Sequence, residues 1–116
     1  MKIRNFTPHA VRIIGEEGNL IVAIPSEGVA RAEQKDTPQR SLRAINGGLI
    51  PTVRTEFGGL IGLPDPEEGV LLIVSNILVQ AAKAVGRSTD DLLFPSGVPM
   101  RDAAGQIIGV RALAWA

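Results

Sequence analysis

The sequence predicts an α+β domain built mostly from short antiparallel strands, forming a sheet or a partly closed barrel, with one packed helix near residues 76–85. Three observations carry that reading. Thirteen glycines and eight prolines are spread evenly along 116 residues and punctuate short apolar runs, as in chains of many strands and turns. One segment, Val70 to Val74, is continuously apolar, the pattern of a strand covered on both faces. One segment only, directly after it, shows sustained helical spacing. At this length a single domain spanning 1–116 is expected, because two would each be too small to hold a core.

Taken in order, Lys2 to Asn5 and Ala10 to Ile14 are short strand candidates separated by the Thr7-Pro8 break. Gly15-Glu16-Glu17-Gly18-Asn19 is a turn, and Leu20 to Ile24 returns as a hairpin partner. Pro25-Ser26-Glu27-Gly28 turns the chain again into an alternating segment, Val29 to Glu33. Gln34 to Arg43 is the most polar stretch, without apolar periodicity, and reads as an exposed loop free to move. Leu49 to Phe57 contains Pro51, which restricts its first half to an edge strand; Val53 and Thr55 are better strand residues.

Behind Val70 to Val74, Ser75 or Asn76 can cap a helix N-terminus. Ile77, Leu78, Ala81, Ala82 and Val85 then share one face, Gln80 and Lys83 lie on the other, and Gly86 stops the helix. Leu92-Leu93-Phe94 is a short apolar segment closed by Pro95. Asp102-Ala103-Ala104-Gly105 suits a type I turn, so Val98 to Arg101 is expected to pair with Gln106 to Ala114, with a bulge at Gly109.

Composition removes several function classes. Twelve basic residues balance twelve acidic ones, so no net charge draws the chain to nucleic acid or anionic lipid. The absence of cysteine excludes disulfides and thiol chemistry, and a single histidine, His9, excludes an ordinary structural zinc site. Four aromatic residues (Phe6, Phe57, Phe94 and Trp115) make a stacking platform for nucleic acid unlikely to form. No stretch approaches the roughly 20 apolar residues of a membrane span, and Met-Lys-Ile-Arg-Asn is too quickly polar for a secretory signal. A cytoplasmic protein without metal or cofactor is expected. For a phage-encoded chain that means the bacterial host cytosol.

No catalytic residue is assigned. His9 is the sole imidazole, no Gly-x-Ser-x-Gly elbow is present, and neither Gly-rich phosphate motif occurs. The acidic pairs Glu16-Glu17, Glu67-Glu68 and Asp90-Asp91 lie in turn-rich segments and read as solvated. The candidate ligand-binding residues are Asn5, Thr7, His9, Arg31, Ser75, Asn76, Arg101 and Asp102. Arg31 and Arg101 would supply guanidinium forks. Backbone amides at Ser75 and Asn76, at a helix N-terminus, would favour an anion. Asn5, Thr7 and His9 would add hydrogen bonds around the proline break, and Asp102 would sit beside Arg101.

Several motifs together are distinctive: Asn5-Phe6-Thr7-Pro8-His9-Ala10-Val11, then Ile24 to Arg31, Gly62-Leu63-Pro64-Asp65-Pro66 leading into Ile73-Val74-Ser75, Asp91-Leu92-Leu93, and Val98-Pro99-Met100-Arg101-Asp102, with Gly109 and Leu113 in the last strand. Over nearly its whole length the chain resembles a group of small, largely uncharacterised phage, prophage and bacterial proteins that open Asn-Leu-Thr-Pro-His, Phe6 standing where that opening has leucine. The resemblance brings no activity with it, but it favours a binder over an enzyme. One class of phage binder sequesters the phosphate-containing nucleotide signals of bacterial immunity, as an anti-defence sponge without turnover. Such proteins are typically compact oligomers. The alternatives are a structural or host-protein-binding phage accessory protein and a small nucleotide-processing hydrolase or transferase. The apolar stretch Gln106 to Ala114, ending at Trp115, has few charges to protect its edge, so a homo-oligomer, a dimer foremost, is expected with this region near the interface.

Overall fold

The computed structural model describes residues 1–97 and 99–116. Ten strands and one helix follow in the order β1 (Lys2–Asn5), β2 (Val11–Ile14), β3 (Leu20–Ile24), β4 (Arg31–Arg43), β5 (Leu49–Ile61), β6 (Val70–Ile73), α1 (Asn76–Ala84), β7 (Leu92–Ser96), β8 (Met100–Arg101), β9 (Ile107–Gly109) and β10 (Ala112–Trp115). Strand content with one short helix fits the α+β expectation. The described strands form open sheets and no closed barrel.

The continuous apolar run of β6 is explained by what covers it. Leu72 and Val74 join Leu78, Val79 and Ala82 of α1, Phe6, Ala30 and Leu92 in one buried cluster. Ile73 points the other way, into a second cluster with Val11 and Leu93, over which Ile13, Ile24 and Leu71 pack. The sheet is thus sandwiched between α1 and the β2–β3 hairpin, and strand alternation sends successive β6 side chains into opposite layers.

That central sheet has the order β1-β6-β7-β10. Four of the six strand pairings in the molecule are antiparallel, as expected, but β6 runs parallel to both β1 and β7. The reason is the β6–α1–β7 connection: a helix returned across the sheet delivers the next strand in the same direction. Ser75 caps α1, its Oγ accepting from the Leu78 N–H at 3.2 Å. Gly86, at φ 79°, closes it. The Arg87 N–H donates to Ala82 O at 3.0 Å and the Gly86 N–H to Lys83 O at 3.2 Å, the paired bonds of a Schellman ending. The buried face differs from the expected one. It is Leu78, Val79, Ala81 and Ala82, while Ile77 and Val85 are exposed. The stripe is centred one position further round, because only a single sheet face covers so short a helix.

Two further expectations are corrected. Gln34 to Arg43 is exposed but is no loop: it is most of β4, paired antiparallel with β5 from Arg31↔Ile61 to Arg43↔Leu49. Backbone pairing needs no apolar period when both faces of a ribbon meet solvent, so the periodicity signal was blind to it. Pro51 is tolerated because both strands of a two-stranded ribbon are edges, and the register shifts opposite it, between Gln39 and Leu42. This arm of two 13-residue strands leaves the body. It raises the radius of gyration to 17.9 Å, against about 13 Å for a compact domain of this length. Ala32 and Leu60 anchor its base on the α1 cluster.

The C-terminal hairpin is also shorter than expected. Only β9 pairs with β8; β10 pairs instead with β7, from Ala112↔Ser96 to Trp115↔Leu93, and becomes an edge of the central sheet. Val98, the expected start of that hairpin, lies outside the described residues. The expected bulge falls beside Gly109, at Ile108, since Met100 faces Gly109 while Arg101 faces Ile107.

Candidate functional site

Asn5 is buried completely at the end of β1, and its amide uses every direction available to it. Nδ2 donates to His9 O and to Ile24 O, both at 2.9 Å. Oδ1 accepts from the Thr7 N–H at 2.9 Å and from Thr7 Oγ1 at 2.6 Å. Thr7 Oγ1 also lies 3.0 Å from His9 O, and Ser26 Oγ donates to Thr7 O at 2.6 Å. Asn5 and Thr7 are therefore committed to closing the Asn5–His9 turn, and no hydrogen-bonding capacity of the Asn5 amide is left over.

What that turn presents is His9. It is exposed on the rim of a cleft of about 410 Å³, walled by His9, Ala10, Val11 and Arg12 on one side, Ile107, Ile108, Gly109 and Val110 on the other, and Pro95. The walls are tied together below: the Val110 N–H donates to Arg12 O at 2.9 Å and the Ile14 N–H to Val110 O at 2.8 Å. A side chain at Gly109 would prevent this approach, since a Cβ there would stand 2.5 Å from Arg12 O. The walls are largely apolar. Among the described residues lining the cleft none is acidic, and Arg12 and His9 are the polar side chains. Such a cleft suits a small molecule with an apolar body and an anionic group.

The remaining sequence candidates do not converge on it. Ser75 is the helix cap, and Asn76 opens α1 with its side chain exposed. Arg31 is exposed at the base of the arm, opposite Ile61. Arg101 Nη1 donates to Gly105 O at 2.7 Å, and Asp102 Oδ1 accepts from the Ala104 and Gln106 N–H groups at 2.9 and 3.0 Å. Both residues hold the β8–β9 turn. Arg101 and Asp102 thereby shape the hairpin that supplies one cleft wall without lining the cleft. Of the eight candidates, His9 alone reaches it.

Arg12 was missed, although its signal was present: it alternates with buried Val11 on β2 and so must face outward. The Ile107–Val110 wall was missed because nothing local shows that β9 crosses β2. Of the acidic pairs, Asp91 is bound bidentately by Arg87, at 2.7 and 3.0 Å, and Glu16, Glu17, Glu67, Glu68 and Asp90 are exposed. Among the described residues, no group of three or more histidine or acidic side chains is placed to hold a metal ion. No described helix is long and apolar enough to cross a membrane. Comparison with family models, with curated proteins and with solved structures gave no match.

Proposed function

We propose that this protein is a binding protein that takes up a phosphate-bearing small molecule of the nucleotide class in the His9–Arg12 cleft and holds it without turnover. The observation that carries this reading is the cleft's composition: apolar walls, a guanidinium and an imidazole at the rim, and no acidic residue among the described lining residues. Its size lies in the range of small-molecule sites, roughly 300–1,000 Å³. A phosphate would be met by Arg12, whose fork suits it, while the base or sugar would lie against Ile108, Val110 and Pro95. Together with the resemblance to phage-type proteins, this favours a nucleotide signal of bacterial immunity as the ligand.

The test is a thermal-shift panel of mononucleotides, cyclic dinucleotides and ADP-ribose derivatives. A rise of several degrees with one compound, recovered intact after denaturation, supports the reading. No rise across the panel contradicts it, and recovery of an altered compound replaces it with the hydrolase reading. The second reading, a protein-binding accessory protein, is favoured by one separate observation: the projecting β4–β5 arm, whose outer half exposes Leu42, Ile45, Leu49, Ile50 and Val53.

A further inference from the structure

The arm has a chemical character that the rest of the chain lacks. From Thr37 to Arg54 it carries Arg40, Arg43 and Arg54 and no acidic residue. Since the whole chain is neutral, the remainder carries the matching excess of acid. The same outer half exposes five large apolar side chains, with Ile45 at the tip entirely in solvent. Projecting an apolar, cationic ribbon into water has no stabilising return within one chain, since its residues bury almost nothing there.

A second surface has the complementary character. The β2–β3 hairpin packs one side on the central sheet but exposes Leu20, Ile21 and Val22 of β3, and its turn carries Glu16 and Glu17, both exposed. β3 is also an unpaired edge of its two-stranded sheet. Beside it lies a dimple of about 240 Å³ lined by Ile14, Gly15, Glu16, Ile21 and Arg111, large enough for an isoleucine side chain.

We infer that the arm of one copy seats on the β2–β3 hairpin of a second copy of this chain, reciprocally, in a two-fold dimer. Leu42, Ile45 and Ile50 meet Leu20, Ile21 and Val22, and Arg43 and Arg54 face Glu16 and Glu17. Size argues for reciprocity. One face of a 13-residue ribbon is about 40 Å long and about 10 Å wide, so one arm laid along a partner hides roughly 800 Å² counting both sides, and two hide roughly 1,600 Å². The single contact is below the size of a stable interface, and the reciprocal pair reaches it. The contact joins two different patches, and applying it twice about one axis closes the assembly and leaves no open end.

Light scattering of the full chain at micromolar concentration tests this. The wild type is expected at twice the 12.3 kDa chain mass. Ile45→Glu with Ile50→Glu should give a monomer with an unchanged far-ultraviolet spectrum, because both side chains are exposed. Arg43→Glu with Arg54→Glu should weaken the dimer at least tenfold, and adding Glu16→Arg and Glu17→Arg should restore it. A monomeric wild type overturns the inference. So does a dimer indifferent to the arm variants, as an interface on the β10 edge would produce. Failure of the four-residue charge swap to restore association removes the hairpin as the receiving surface and overturns it equally.

Discussion

The side-chain amide of Asn5 donates to the carbonyl oxygen of His9 across 2.9 Å, and this bond sets where the only imidazole in the chain stands. A side chain four residues upstream, buried beneath the turn, thus fixes a residue exposed at the cleft rim. Replacing Asn5 with alanine leaves His9 O and Ile24 O without their donor and opens a cavity at the same point. A loss of about 3 kcal/mol or more is expected in denaturant unfolding. Asn5→Asp should be similarly costly, because it turns an acceptor toward two carbonyl oxygens. A loss below about 1 kcal/mol for both variants would show that the turn holds itself.

The two ion pairs should behave differently. Arg87 binds Asp91 bidentately, with both side chains largely buried, and also donates to Pro64 O at 2.8 Å, tying the helix exit to the loop before β6. Arg87→Ala is expected to cost about 2–3 kcal/mol, since it leaves a shielded carboxylate and a carbonyl unpartnered. Arg4 meets Glu27 through one contact at 3.2 Å on the surface and lies over the Phe6 ring. Arg4→Ala should cost less than about 1 kcal/mol and lose its effect in high salt. Urea titrations of the two variants side by side check the ordering.

Gly109 tests the close approach of β9 to β2. A methyl group there meets backbone, Arg12 O at 2.5 Å, and that neighbour cannot rotate away. Gly109→Ala should cost about 1–3 kcal/mol and push the cleft walls apart. Gly59→Ala, where the added carbon meets nothing within 4 Å, serves as the control and should stay within about 0.5 kcal/mol.

What the sequence made legible were the features written in local chemistry. The Val70–Val74 run, the Ser75 cap and the Gly86 stop placed β6 and α1 because burial on two faces and helix capping leave local marks. The β2–β3 hairpin was readable from its turn. The arm was not, because a ribbon solvated on both faces has no apolar period to display. The split of the last strand between two sheets was equally hidden, since the choice of partner for Ala112–Trp115 is made by β7, some twenty residues earlier in the chain. The site followed the same division. Asn5, Thr7, Ser75, Arg101 and Asp102 were noticed because they are the polar residues that turns and caps require, and the structure uses them for that purpose. Arg12 is an ordinary outward residue of a strand, and only the crossing of β9 makes it part of a cleft.

The arm should be separable from folding. Joining Asp36 to Thr55 through an Asn-Gly turn keeps the paired base and deletes the outer ribbon. Because the removed residues are mostly exposed, unfolding free energy should fall by no more than about 1 kcal/mol. A collapse of the folded state would show that the outer arm packs on the body.

The binding claim rests on one guanidinium in one cleft, so isothermal titration of the panel compound that raises the melting temperature most, into wild-type protein and into Arg12→Ala, tests it most directly. A charge-assisted contact to phosphate contributes about 1.5–3 kcal/mol, so Arg12→Ala should bind roughly ten- to a hundredfold more weakly while melting, without ligand, at the wild-type temperature. His9→Gln should weaken binding less, and Arg31→Ala, remote from the cleft lining, should bind as the wild type does. Equal affinity of Arg12→Ala and wild type, or loss of binding on changing Arg31 instead, would contradict the assignment of the cleft as the ligand site.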